Sequence, residues 1–178
     1  ADLTAALAGQ GVRKLVIFNG HGGNDFKALI RELQPRTPMF LSTLNWWQVV
    51  DARAHFTDQG DHAGELETSV MQHLVPEFVR PLADAGDGRA NPWAIAALRE
   101  GWAWAPRPWT KVTADTGIGD PHAATPAKGE AFCEAVCDRV AGFLVELANT
   151  PLDALITAPG GDEYAPPPPH RAAGGRPR

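Results

Sequence analysis

Two stretches of this 178-residue chain concentrate side chains able to move protons or hold metal ions. The first is Asn19-Gly-His-Gly-Gly-Asn24, where glycines flank His21 and leave its imidazole and the neighbouring backbone N–H groups accessible. The second runs from Asp58 to Ser69 and holds Asp58, Asp61, His62, Glu65 and Glu67. Imidazole exchanges protons near neutral pH and is also a common metal ligand. A loop His with a carboxylate five residues further on therefore suits acid–base catalysis or metal binding. The same residues also read as a solvated helix start, because acids favour helix N-termini.

The elements that must position these groups follow from the apolar pattern. Lys14 to Phe18 is a short β-rich run and reads as a buried parallel strand. His21 then lies beyond the carboxyl end of that strand, where parallel α/β sheets bind ligands. Asp25 to Leu33 reads as a helix with Phe26, Leu29, Ile30 and Leu33 on one face, and Asn24 or Asp25 as its cap. Pro38 to Thr43 is a second strand candidate, and Pro92 to Leu98 a short helix. Glu65 to Leu74 is a helix stopped by Pro76. On it Glu67 shares a face with Val70, Met71 and Leu74, and Glu65 lies about 160° around the axis. Glu67 is thus expected to face the core, where a carboxylate needs a partner or a metal. Gly129 to Asn149 is the longest helix, with a stripe of Phe132, Val136, Val140, Phe143, Leu144 and Leu147. Helix, strand, glycine loop, helix is the rhythm of an α/β domain with a mainly parallel sheet.

Composition narrows the function classes. Sixteen Lys+Arg against 21 Asp+Glu give a formal charge of −5, with no basic stripe to track phosphates, so nucleic acid is excluded as a partner. No apolar run reaches the roughly 20 residues of a membrane span. No secretory or transit peptide is evident, and two Cys cannot form a disulfide framework, so a cytoplasmic location is expected. Residues 1–157 are expected to form one domain, and 158–178, rich in Pro and Gly, a disordered tail. The chain opens at Ala1, without Met, directly in a helical pattern, and reads as part of a longer protein. The glycine loop fits neither G-x-G-x-x-G nor Gly-Lys-Ser/Thr, which removes the dinucleotide and Walker readings.

Three motifs in order carry a resemblance: Asn19-Gly-His-Gly-Gly-Asn24, His62-Ala-Gly-Glu-Leu-Glu-Thr-Ser69, and Thr116-Gly-Ile-Gly-Asp-Pro-His-Ala-Ala-Thr125 with Lys128-Gly129. Over roughly residues 1 to 148 the chain resembles the creatininase (creatinine amidohydrolase) family. The resemblance implies a three-layer α/β/α sandwich, a dinuclear Zn or Mn site and a homohexamer. It implies a metal-dependent hydrolase that cleaves an amide or cyclic-amide C–N bond of a small polar substrate with activated water. Ring opening of an oxidised inositol is a related alternative. A non-catalytic, incomplete domain is another.

By the same resemblance His21 and Glu67 are metal ligands and His62 is the catalytic proton shuttle. Gly23 stands where some members have a Glu ligand. The backbone N–H groups around Gly22 and Gly23 are candidates for holding substrate. Trp46 and Trp47 fall in the region of the family's mobile aromatic loop, so a lid over a flat or cyclic substrate stands beside simple packing. The family's Glu-x-His-Gly-x-His segment, which supplies the remaining ligands, does not occur in this sequence. A further segment or a second chain is then required to complete the site. Trp93, Trp102, Trp104 and Trp109 are expected in packing or a subunit contact. Cys133 and Cys137 are read as core-edge packing, and His122 as a solvent or interface residue.

Overall fold

The structure, a computed structural model, describes residues 2–157. The expected tail at 158–178 lies outside the described residues. Two compact units emerge among the described residues: 2–55 with 131–156, and 56–130 with 157.

The first unit opens with α1 (Asp2–Gly9). Gly11, at φ +82°, ends it by bending into β1 (Lys14–Asn19), a conformation that favours glycine. β1 pairs in parallel with β2 (Phe40–Asn45), in the register Lys14 to Phe40 through Asn19 to Asn45. Between them lies α2 (Phe26–Leu33), whose cap is Asp25, its carboxylate accepting from Lys27 N–H. Leu33, Met39 and Leu41 form a core against Leu7, Ala8, Val12, Leu15 and Ile30. β2 begins two residues later than the apolar run suggests. The Thr37 hydroxyl accepts from Met39 N–H at 3.2 Å, and the Gln34 amide bonds Met39 O at 2.7 Å and Leu41 N–H at 2.9 Å. These side chains satisfy backbone groups that would otherwise extend the ladder.

The second unit contains α3 (Glu65–Leu74), α4 (Ala96–Glu100) and α5 (Trp109–Val112), with many single turns between them. α4 starts later than Pro92, because Ile95 is extended, and it ends on Gly101 in the left-handed region. α6 (Pro126–Asn149) contains the boundary between the units. It starts at Pro126 instead of Gly129. Thr125 caps it by accepting from Lys128 N–H at 3.3 Å, and proline suits the first helical position.

Within the first unit, Phe132, Val136 and Leu147 of α6 are buried, as the stripe predicts, but Leu144 is not. Lys14 Nζ donates to the carbonyls of Leu147, Ala148 and Thr150, placing a cation where α6 leaves carbonyls unpaired. Of the two cysteines, Cys133 is half-buried and Cys137 exposed. No helix among the described residues is long and apolar enough to cross a membrane.

Candidate active site

The glycine loop belongs to the first unit. Asn19, at the end of β1, is buried, and its amide organises the loop. Its Oδ1 accepts from His21 N–H at 3.1 Å and from the Asn24 amide at 3.2 Å, and its Nδ2 donates to Asn45 at 2.8 Å. His21 is exposed, with Nδ1 accepting from Gly23 N–H at 3.0 Å. That bond engages the Gly23 N–H group expected to face substrate. It also puts the proton of a neutral imidazole on Nε2, so metal ligation through Nε2 requires the other tautomer. Trp46 donates from its indole to Gly20 O at 3.3 Å, and its ring meets buried Phe132 edge-on at 5.9 Å. A Cβ at Gly22 would stand 3.8 Å from the Trp47 ring. Both Trp side chains therefore line the loop that carries His21.

The second unit assembles the His62 motif from two distant stretches. His62 N–H donates to Ile118 O at 3.0 Å, and Ile118 N–H donates to His62 O at 2.7 Å. The Thr116–Thr125 segment thus holds the histidine backbone through both its N–H and its C=O, as an antiparallel bridge. The crossing is close: a Cβ on Gly119, itself at φ +114°, would lie 2.4 Å from Gly60 Cα. His62 Nδ1 stands 3.9 Å from Glu67 Oε2, too far for a hydrogen bond. The His62 ring lies 5.1 Å from the Trp109 ring, and the Arg107 guanidinium sits 4.7 Å from that same ring. Arg107 also pairs with Asp61.

The carboxylates of α3 exchange the positions expected of them. Glu65, not Glu67, is the buried one, at 1% exposure. It accepts from Thr57 N–H and Asp58 N–H, both at 2.9 Å, and from Lys128 Nζ at 2.5 Å. Burial pushes its carboxyl pKa up, but the bonds from Asp58, Lys128 and Thr57 outweigh this and hold it below the usual carboxylate range. Glu67 is half-exposed, and its Oε2 accepts from Ala63 N–H at 2.6 Å.

The physical reason lies at the helix start. Helical side chains lean toward the N-terminus, so a first-turn carboxylate reaches back into the preceding loop instead of following the axial face. The buried face is Glu65, Leu66, Ser69 and Val70, while Met71 and Leu74 are exposed. Ser69 belongs to that face because its hydroxyl accepts from Thr125 N–H at 3.1 Å. Thr68 donates to Ala63 O at 3.2 Å. The sequence does not mark Glu65 as the acid that Lys128 holds, nor Arg107 and Trp109 as neighbours of His62. A first-turn acid followed far along the chain by a lone Lys at another helix start was the available signal for the first two. Among the described residues Trp102 and Trp104 pack little, being 76% and 85% exposed.

A cavity of about 230 Å³ opens beside this motif, lined by Ala63, Thr68, Arg80, Asp84, Asp115 and Gly119 among others. Asp115 accepts from Gly86 and Gly117 N–H groups at 3.0 Å each, which lowers its carboxyl pKa. Among the described residues no three His, Cys, Asp or Glu side chains come together to hold a metal ion. The donors present therefore do not fit, by themselves, the two-metal centre that the resemblance implies.

A mycofactocin precursor peptide peptidase of Mycobacterium tuberculosis is 33% identical over 138 residues, 71% of this chain and 45% of that protein. The chain thus spans less than half the length of this curated relative. Among solved structures, a Bacteroides fragilis protein assigned to the creatinine amidohydrolases is 47% identical, with a TM-score of 0.79, covering 85% of this chain and 60% of that one. A creatininase variant complexed with creatine is 24% identical, with a TM-score of 0.63, covering 82% of this chain and 61% of the other. Creatininases of the same fold have been solved in zinc and manganese forms, at TM-scores of 0.59 and 0.60. The model of the creatininase family (creatinine amidohydrolase) matches residues 1–144. With that match over most of its length, and with this α/β fold, the chain belongs to the creatininase family.

Proposed function

We propose that this chain carries the proton-transfer half of a creatininase-type hydrolase that breaks an amide or cyclic-amide C–N bond of a small polar substrate with water. The observation that carries the reading is the placement of His62. Its backbone N–H and C=O are both bonded to Ile118, its ring rests near Trp109, and a carboxylate stands 3.9 Å from Nδ1. The amidohydrolase relatives and the peptidase relative share the chemistry of amide cleavage by name.

In this reading His62 removes a proton from the attacking water as its oxygen bonds to the carbonyl carbon. It returns that proton to the nitrogen as the C–N bond breaks, so the amine leaves neutral. The Glu67 carboxylate stabilises the imidazolium that exists between the two transfers. Proximity and a fixed ring orientation matter because the same proton must travel in both directions.

Metal dependence, with Zn or Mn, is part of the proposal and not of the derivation above. His21 and Glu67 are the proposed donors in this chain. A catalytic zinc ordinarily takes three protein ligands, so further donors come from outside the described residues. Oligomerisation to a hexamer is proposed on the same footing and is read by light scattering.

The test is His62→Ala, with turnover of amide substrates and bound metal measured on the same preparation. Turnover is expected to fall by at least ~100-fold, the general acid–base contribution, with metal content unchanged. Loss of metal on that substitution would make His62 a ligand and end its role as proton shuttle.

A further inference from the structure

The pair Arg107 and Trp109 has no part in the proton transfer, yet both lie beside His62. Arg107 stands between Pro106 and Pro108. Proline fixes its own φ and restricts the residue before it, so the backbone at Arg107 is stiff and extended. The side chain leaves this stiff segment and meets two groups. Its guanidinium sits 4.7 Å from the Trp109 ring centre, and its Nη1 donates to Asp61 Oδ2. The ion pair is single-pronged. Among the described residues the Nε and Nη2 edge of the fork has no protein partner. Asp61 is the immediate neighbour of His62, and the Trp109 ring lies 5.1 Å from the His62 ring.

A planar fork with one edge held by an acid and the other open is suited to a second carboxylate, which guanidinium takes through two parallel bonds. The side chain is 37% exposed, so the charge is reachable while its stem is packed. The indole lies under the guanidinium and keeps 36% of its surface exposed, which puts an apolar edge next to the group that bears the carboxylate. Asp61 fixes the fork's orientation without occupying the edge that would bind.

Resting on the reading of His62 as the proton-transfer group, we infer that Arg107 and Trp109 form a substrate subsite. It recognises a carboxylate attached to a planar or apolar group and sets it beside the bond to be cleaved. The carboxylate is either that of a small acid or the C-terminus of a peptide. Arg107 is a specificity residue in this account and takes no part in the bond-breaking step.

Calorimetric titration of the full 178-residue chain with hippurate and with hippuramide tests the inference, because the two differ only at the carboxylate. Hippurate is expected to bind at least tenfold more tightly. Arg107→Gln brings the two within twofold of each other. Arg107→Lys keeps only part of the preference, since a point charge cannot form two parallel bonds, and Trp109→Leu weakens both ligands. An N-acetyl dipeptide acid that binds more tightly than hippurate assigns the carboxylate to a peptide end, and one that binds more weakly assigns it to a small acid. Equal binding of acid and amide by the unmodified chain, binding of neither, or a preference that survives in Arg107→Gln overturns the inference. The readout is binding alone. A chain that discriminates acid from amide but turns over no amide counts against the hydrolase and leaves the subsite standing.

Discussion

At the scale of single residues, the buried Glu65 governs how the His62 loop is held. A carboxylate at 1% exposure survives only because two backbone N–H groups and the Lys128 ammonium surround it. Removing the cation and keeping the carboxylate isolates that dependence. Lys128→Met is expected to destabilise the second unit by about 2 kcal/mol, the range for a hydrogen bond to a charged group. Urea unfolding measures it, and Glu65→Gln with Lys128→Met should recover part of the loss, because the buried charge is then gone. An additive double variant would show that the two side chains do not depend on each other. Glu65 and Glu67 also show the limit of reading a helical wheel. The helix repeat sets them about 160° apart, but both first-turn side chains reach back to loop N–H groups, and it is Glu65 that meets two of them together with the Lys128 ammonium.

At the scale of elements, glycines mark where backbones touch. A Cβ at Gly129, in the first turns of α6, would fall 2.0 Å from Ser69 O of α3. That oxygen belongs to backbone and cannot rotate away. Gly142 lies on the same helix with nothing within 4 Å of such a Cβ. The two substitutions to alanine therefore diverge in sign. Gly142→Ala is expected to stabilise by about 1 kcal/mol through helix propensity alone. Gly129→Ala is expected to destabilise by about 2 kcal/mol, since overpacking forces the helix start away from α3. Thermal melting of both proteins separates the effects, and a raised melting temperature for Gly129→Ala would mean that the two backbones do not approach so closely. The Lys128-Gly129 pair was visible in the sequence only as part of a motif. Its physical content is one cation for Glu65 and one missing side chain against Ser69.

At the scale of the whole molecule, the Glu65 network ties stability to pH. Its folded carboxyl pKa lies below the ordinary value of 4.5. The stability it contributes is complete above the unfolded value and disappears as pH falls through the folded one. Acidification below about pH 4.5 should therefore cost the native chain stability that Glu65→Gln has already lost, and the variant's stability should fall less steeply with pH. Parallel pH profiles for the two proteins would remove Glu65 from the acid response.

The strand-loop-helix order around His21, the helix that carries Glu67, a cap at Asn24 or Asp25 and the family itself were fixed by sequence alone; the structure chose Asp25. Apolar periodicity, turn residues and motif spacing are local properties that survive without coordinates. Tertiary structure alone decided that Glu65 is the buried acid, that Ile118 pins His62, and that Arg107 and Trp109 stand at its side. Each of these joins residues far apart in the chain, and such contacts depend on which donors and backbones meet after folding, information that no short window of sequence contains.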